Sequence, residues 1–558
     1  MLLHFLGREM RVTFGQWTPD RPGIADSLTE AENCLPLGVG YGPMPSAADF
    51  SNSASENLLT CSVARWNTDT LLIAAGANKL FRYWPSKIAT ITGATNANPC
   101  VITATGHGFR TGITVSIASV GGMTQLNGNS YVITVIDANS FSLNGVNSTA
   151  FGTYTSGGTA TTLKYLQDVS RTASAYTTTT QWTFTQFGQT LIAGNGLDKL
   201  QAWTVGSSAN FADLNASAPT AQFVTTVRDF VVTGKQASYP NRVQWSDIND
   251  ATDWTSGSGS QADSQDIPDG GEVRGLTGGE FGLVLMERSI VRMTYIGAPL
   301  YFQFDTLTRS LGCYESRSVV QYGSMTFFLS DDGFFVCDGQ TVKPIGAERV
   351  DRWFYSVLDP GKLTEMSAAV DPINKTVTWC FTDIFAMKQL LVYNWQVDKW
   401  THGETTADYV STVATSSADL ESLAALYPNI DTVPASLDSR IWSGGKLIQG
   451  GVDGDKIISF GGDDLTATLQ TGDIEAQGLE SIITLARPLI DNGSATVAVA
   501  SRKRLDGNIS YASPVAADSD NRVSLRSRGK FHRLSVVPTG NWVSAVGVDV
   551  DLIQTGGR

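Results

Sequence analysis

The chain has 558 residues, 42% of them hydrophobic and only 16% charged, with 55 glycines and a formal net charge of −14. Such a length and apolar content supply a sizeable core, and low charge with abundant Gly, Ser and Thr suits strands and turns better than long surface helices. The acidity argues against a protein that grips nucleic acid, because gripping needs Lys and Arg to displace counterions from phosphates, although an acidic wall would let a duplex slide past.

Residues Val12 to Phe50 carry WTPDRPG and LPLGVGYGPMPS. Proline fixes φ and blocks both helix and central strand, so residues 1–50 are predicted to be an extended N-terminal arm. Hairpin units follow. Thr70–Tyr83 (TLLIAAGANKLFRY) recurs without a gap as Thr190–Trp203 (TLIAGNGLDKLQAW), pairing Leu71 with Leu191, Gly76 with Gly196 and Lys79 with Lys199. Related units lie at Phe230–Trp245, Phe281–Thr294, Met325–Val342, Val377–Trp400 and Lys456–Leu469. In Met325–Val342, Asp331-Asp332-Gly333 separates two apolar runs, a strong hairpin signal. Recurring hairpins predict an all-β fold and a β-propeller over residues 51–87 and 163–473. About 385 residues at about 45–50 per blade give roughly eight blades.

Residues 88–162 interrupt this series. The stretch is dense in Gly, Asn, Ser and Thr, almost free of Lys and Arg, and has its own strand pattern at Val101–Thr105, Thr114–Ile117, Tyr131–Val135 and Ser140–Leu143. It is expected to be a small β-barrel inserted into a blade loop, where an insertion costs little closure entropy. Ala418–Leu426 has the one helical pattern. Residues 474–558 are read as a C-terminal β domain, with strands at Thr496–Ala500 and Val546–Ile553. That domain gathers Arg502, Lys503, Arg504, Arg522, Arg526, Arg528, Lys530, His532 and Arg533, a local reversal of sign. Arg502, Lys503, Arg504, Arg526, Arg528, Lys530 and Arg533 are candidate interface residues toward phosphates or an acidic partner, the alternative being a solvated strand face.

Chemistry is sparse. The six cysteines, Cys34, Cys61, Cys100, Cys313, Cys337 and Cys380, form no CxxC pair and are expected to be buried free thiols of a protein folded in a reducing compartment. The four histidines show no zinc spacing, and His107 in HGF is read as a turn residue. GxSxG, Walker A and strand-to-helix GxGxxG motifs do not occur. Asp247, Asp250 and Asp253 in DINDATD could cluster around calcium but are better read as turn formers. Ser330-Asp331-Asp332-Gly333 approaches a sialidase-type turn, with Phe334 where a Gly belongs. No catalytic residue, cofactor or metal is assigned, and the chain is expected not to be an enzyme. There is no apolar run of eighteen residues and no signal-peptide cleavage pattern, so no membrane-spanning segment is expected.

Taken in order, WTPDRPG, AENCLPLGVGYGPMPS, WTFTQFGQTLIAGNG, RVQWSDINDATDW, ERSIVRMTYIGAPLYFQFD, GCYESRSVV and PIGAERVDRWFYSVLD resemble the tail hub or nozzle proteins of short-tailed bacteriophages, the packaged-DNA stabilisation group. The likeness covers most of Val12 to about Trp400, and the first eleven residues precede the family-like start. The insertion resembles the small β-barrel of ubiquitin-activating enzymes, also grafted into phage structural proteins, where it implies no ubiquitin chemistry. The resemblance implies a virion tail protein, made in the bacterial cytoplasm and assembled as a homo-oligomeric, hexameric ring. Its implied partners are a portal or head-tail adaptor above and fibres, spikes or a tip plug below, with double-stranded DNA passing transiently through the ring. Alternative readings are a receptor- or glycan-binding propeller, with Trp245, Trp254, Trp395 and Trp400 as candidate rim aromatics, and a glycosidase.

Overall fold

The computed structural model describes residues 8–21, 23, 27–66, 69–178, 181–414, 445–475 and 479–555. Regular structure among them is nearly all β, with one α-helix, Asp351–Val357, and three short 3-10 turns. The helical pattern at Ala418–Leu426 lies outside the described residues.

Seven four-stranded antiparallel meanders follow one another, their first strands being Leu58–Trp66, Thr183–Phe187, Ala221–Val227, Val273–Thr277, Val320–Tyr322, Ser367–Asp371 and Tyr409–Ala414. The second strands explain the continuous apolar runs in the sequence. Gly282–Met286 and Thr376–Thr382 are buried at every position because each is covered on both faces. Hairpin chemistry sets the register. Ser330 pairs with Gly333 across Asp331-Asp332, and Gly333 sits at φ 119°, a conformation open to glycine. Seven meanders are present among the described residues where the residue count gave roughly eight, because residues 345–366 and much of the N-terminal stretch build other elements.

Each adjoining pair of meanders shares an apolar core. Leu71, Ile73 and Leu80 pack with Trp182, Leu191 and Trp203 between the first and second, and Ile192 and Leu200 with Val224, Val231 and Trp254 between the second and third. Trp245 and Val232 meet Met286, Met293 and Phe302 in the next core, followed by Leu283 and Leu285 against Phe328 and Cys337. Phe334 packs against Trp379 between the fifth and sixth, and Leu390 and Val392 meet Val410 and Ile458 between the sixth and seventh. The series returns to its start: Val413, Val452 and Ile457 of the seventh meander pack with Leu58, Cys61, Leu72 and Phe81 of the first. All seven first strands contribute to the lining of one cavity of about 1000 Å³.

The described residues between 8 and 50 depart from the extended arm expected of residues 1–50. Pro45–Asp49 is the fourth strand of the seventh meander, antiparallel to Lys456–Asp464. Ser27–Glu32 bridges the last strand of the sixth meander to Thr468–Thr471, in an eleven-stranded sheet that continues through Phe531–Thr539 and Ser494–Arg502. Arg8–Thr13 pairs with Ser544–Gln554 in a six-stranded sheet. That sheet packs on the eleven-stranded one through Ile483, Val499, Val523, Leu534, Val536 and Val550. A turn reaches the second sheet at Gly40, φ 73°, where a Cβ would lie 2.0 Å from the Ala545 carbonyl oxygen. Pro19, Pro36, Pro43 and Pro45 fall in short strands and turns, where the missing N–H does little harm.

The insertion forms a seven-stranded sheet in the order Ile88–Thr90, Thr159–Thr162, Thr114–Ala118, Asn129–Asp137, Ser140–Leu143, Val101–Thr103 and Gly93–Ala94. It has its own core of Ile102, Val115, Ile117, Leu126, Ile133, Phe141 and Leu143. The chain leaves the first meander at Trp84 and re-enters it at Tyr165, and these two residues are cross-strand partners. Replacing residues 85–164 by a two-residue Asn-Gly turn should therefore preserve the remaining fold, with a thermal midpoint within a few degrees of the parent by circular dichroism.

Candidate functional site

The basic stretch of the C-terminal domain is largely neutralised by its own neighbours. Asp473, 2% exposed at its side chain, binds Arg502 at 2.6 Å and Arg533 at 3.0 Å. Glu480 holds Arg528 at 2.9 Å and Lys503 at 3.6 Å, Arg504 pairs with Asp506 at 3.0 Å, and Arg522 lies 3.8 Å from Asp520. Arg526 and Lys530 have no ion pair among the described residues, and the Lys530 ammonium lies 5.5 Å from the Phe531 ring centre. His532 is fully buried between the hydroxyls of Ser481, 2.9 Å away, and Ser501, 2.6 Å away, and desolvation lowers its pKa. Structural cross-linking thus accounts for most of this cluster. Asp473→Asn would leave two nearly buried guanidiniums without a counterion, and the expected loss is about 3–5 kcal/mol, read from the urea midpoint.

The other carboxylate-rich stretches are turns. Asp250 accepts from the Thr252 N–H at 2.8 Å, Asp253 from Thr255 at 3.0 Å, and Asp247 from Gln261 at 2.7 Å. His107 accepts from the Phe109 N–H at 2.9 Å and packs beside Phe141. Trp245, Trp254 and Trp400 are buried, while Trp395 is half-buried against Tyr322 and Phe327, so these four build no exposed aromatic platform. All six cysteines are buried free thiols, and burial pushes Cys61, Cys313 and Cys380 up to about 12.

Beneath the Ser330–Gly333 hairpin lies Asp351, which accepts from the Phe334 N–H at 3.2 Å and fills space that a side chain at Gly333 or Gly346 would need. Burial raises this carboxyl to about 6, and nearby Asp20 adds to the rise. An unfolded Asp titrates near ~3.9, so the native state binds this proton more tightly. Its contribution to stability is full below about pH 4 and is lost as pH climbs through about 6, a loss of roughly 3 kcal/mol at neutral pH. Asp351→Asn keeps the acceptor without the charge. It should be more stable than the parent at pH 8 and lose that advantage at pH 4, measured by denaturant unfolding at both values.

The central cavity has polar side chains at the rim where the first strands begin. Lys235, Arg274, Glu315, Arg317, Glu365 and Tyr409 line it. Glu272 joins two meanders by pairing with Lys235 at 3.1 Å and Arg274 at 2.8 Å. Glu365 pairs with Lys362 at 2.6 Å and Lys388 at 3.4 Å, and the Lys362 contact leads the causes that lower its pKa. Burial raises Glu315, against the opposing pull of the Arg317 N–H and of Arg317, Arg274 and Lys235. Sequence reading missed this rim because its members lie far apart in the chain, each beside a strand with no shared motif.

The ubiquitin-activating enzyme E1 FCCH domain family matches residues 98–164, a small part of the chain that coincides with most of the inserted sheet and reaches the chain's return to the first meander. No curated protein sequence matches this chain. Among solved structures, a computationally designed protein, Ika8, is similar at 10% identity and a TM-score of 0.31, over 75% of this chain and 98% of the other. The phage phi92 endosialidase is similar at 11% identity and 0.26, over 58% of this chain and 64% of its own. The dihydro-heme d1 dehydrogenase NirN, at 11% and 0.29, covers 54% and 56%. Likeness at these scores carries no inference about this chain.

Proposed function

We propose that the seven meanders form a seven-bladed β-propeller and that the protein is a structural subunit of a bacteriophage tail, of the hub or nozzle type. In this reading it assembles into a hexameric ring in the virion, beneath a portal or head-tail adaptor and above fibres, spikes or a plug. The ring retains packaged double-stranded DNA and conducts it at ejection. The propeller is supported by the seven shared cores, seventh to first included, and by a cavity lined from all seven first strands. The tail assignment rests on the phrases between Val12 and Trp400, on the net charge of −14, and on an inserted domain of a kind grafted into phage structural proteins.

One structural observation favours a subunit built to dock. The hairpin tip of the sixth meander exposes Ile384 at 56%, Phe385 at 78% and Met387 at 53%. The tip is nonetheless well fixed: Asp383 accepts from the N–H groups of Phe385 and Met387 at 2.8 and 2.9 Å, and the Ile384 N–H donates to the Val357 carbonyl at 2.9 Å. Ordered, clustered apolar side chains in water mark an assembly surface. The expectation is that purified protein forms rings, seen by electron microscopy and light scattering, alone or on the adaptor. Phe385→Asp should weaken assembly at least tenfold while leaving the monomer's thermal midpoint unchanged. A chain that stays monomeric at high concentration and ignores the adaptor would overturn the reading.

A further inference from the structure

Two of the cations at the cavity rim occupy irregular backbone in neighbouring meanders. Lys235 sits between Gly234 and Gln236, where the second strand of the third meander slips register against its partner, and its φ is 56°. A side chain is strained in that conformation, and Gly would fit it better. Arg274 stands at the corresponding slip between Val273 and Gly275 in the first strand of the fourth meander. Bulges of this kind turn a side chain away from the strand's normal alternation, and backbone strain concentrates where a side chain must be aimed. Here both side chains line the central cavity and converge on Glu272.

Arg317, from the next meander, completes the group. Its guanidinium is half-buried and lies over the Tyr409 ring, 5.2 Å from the centroid, with no hydrogen bond or ion pair among the described residues. Lys235, Arg274 and Arg317 all act electrostatically on Glu315. The lining itself carries three cations, Lys235, Arg274 and Arg317, and two carboxylates, Glu315 and Glu365, with Glu272 shared between Lys235 and Arg274. Arg317 leaves the rim a positive charge that no carboxylate among the described residues pairs, in a chain whose net charge is −14. Low-dielectric cavity walls focus such a field on a small ligand, and the planar guanidinium fork suits phosphate and carboxylate oxygens.

We propose that the cavity rim at Lys235, Arg274 and Arg317 binds a small polyanion, a molecule with two or more phosphate or carboxylate groups. The site is independent of ring assembly, since all its residues come from one chain. Isothermal titration calorimetry on the full chain at low ionic strength, with inorganic pyrophosphate and with citrate as probes, tests it. One saturable site per chain is expected, with the tighter probe naming the anion class. Arg317→Ala should weaken binding at least tenfold, and Arg228→Ala, outside the cavity lining, should leave it unchanged. Lys235→Gly should also weaken it at least tenfold while the thermal midpoint stays at or above the parent's, because glycine relieves the strained φ. Absence of saturable heat with both probes, or parental affinity in folded Arg317→Ala and Lys235→Gly, would overturn the site.

Discussion

Closure of the sheet series hangs on one non-local contact. The seventh meander lacks a fourth strand of its own and takes Pro45–Asp49 from the beginning of the chain, with Asp49 paired to Lys456 at 2.6 Å across 407 positions of sequence. A surface ion pair of this kind contributes little on its own. The strand matters because it covers the edge of the seventh sheet, and an uncovered edge presents unpaired N–H and C=O groups to any passing chain. Loop-closure entropy grows slowly with length, so joining distant segments costs only modestly more than joining near ones. The shared core of Val413, Val452 and Ile457 with Leu58, Leu72 and Phe81 supplies the burial that offsets that cost.

The same N-terminal stretch welds the meanders to the C-terminal sheets. Ser27–Glu32 lies between the sixth meander and Thr468–Thr471, so one hydrogen-bonded sheet runs through both regions. Trp379 and Trp400 of the sixth meander face the fifth, fully buried, with their indole N–H groups donating to the carbonyls of Ser318 and Ile345 at 3.0 and 3.1 Å. Truncating an aromatic of this size in a core costs about 3–5 kcal/mol. The shared sheet makes this connection rigid, while the inserted domain joins the first meander where Trp84 and Tyr165 pair across strands.

Local hairpins were legible in the sequence because their signals are local. Thr70–Tyr83 and Thr190–Trp203 announce strand, turn and strand within fourteen residues, and the insertion betrays itself by composition and by its own alternation. Non-local pairing left no such trace. Pro45–Asp49 is short and begins with proline, and nothing in its residues names Lys456–Asp464 as its partner. Asp351–Val357 is too short to show helical periodicity, and Asp20, far away in sequence, caps it by accepting from the Arg352 and Trp353 N–H groups at 2.9 and 2.8 Å. The basic run from Arg502 to Arg533 was legible as charge, but its compensation by Asp473 and Glu480 was not. Lys235 and Arg274 were invisible as partners because a bulge cannot be read from hydrophobic alternation.

The order of synthesis gives the strand at Pro45–Asp49 an unusual history. Its partner follows it from the ribosome about 400 residues later, roughly 20–80 s at common elongation rates. Throughout that interval the first six meanders can stack in succession, each new core formed against the last, while the early strand has no place to bind. The final step is then a capture event, in which a waiting segment meets a freshly made edge. A second nascent chain on the same message carries an identical waiting segment. Polysome crowding therefore favours exchange of this strand between neighbours, and swapped pairs are the misassembly to which this topology is most exposed.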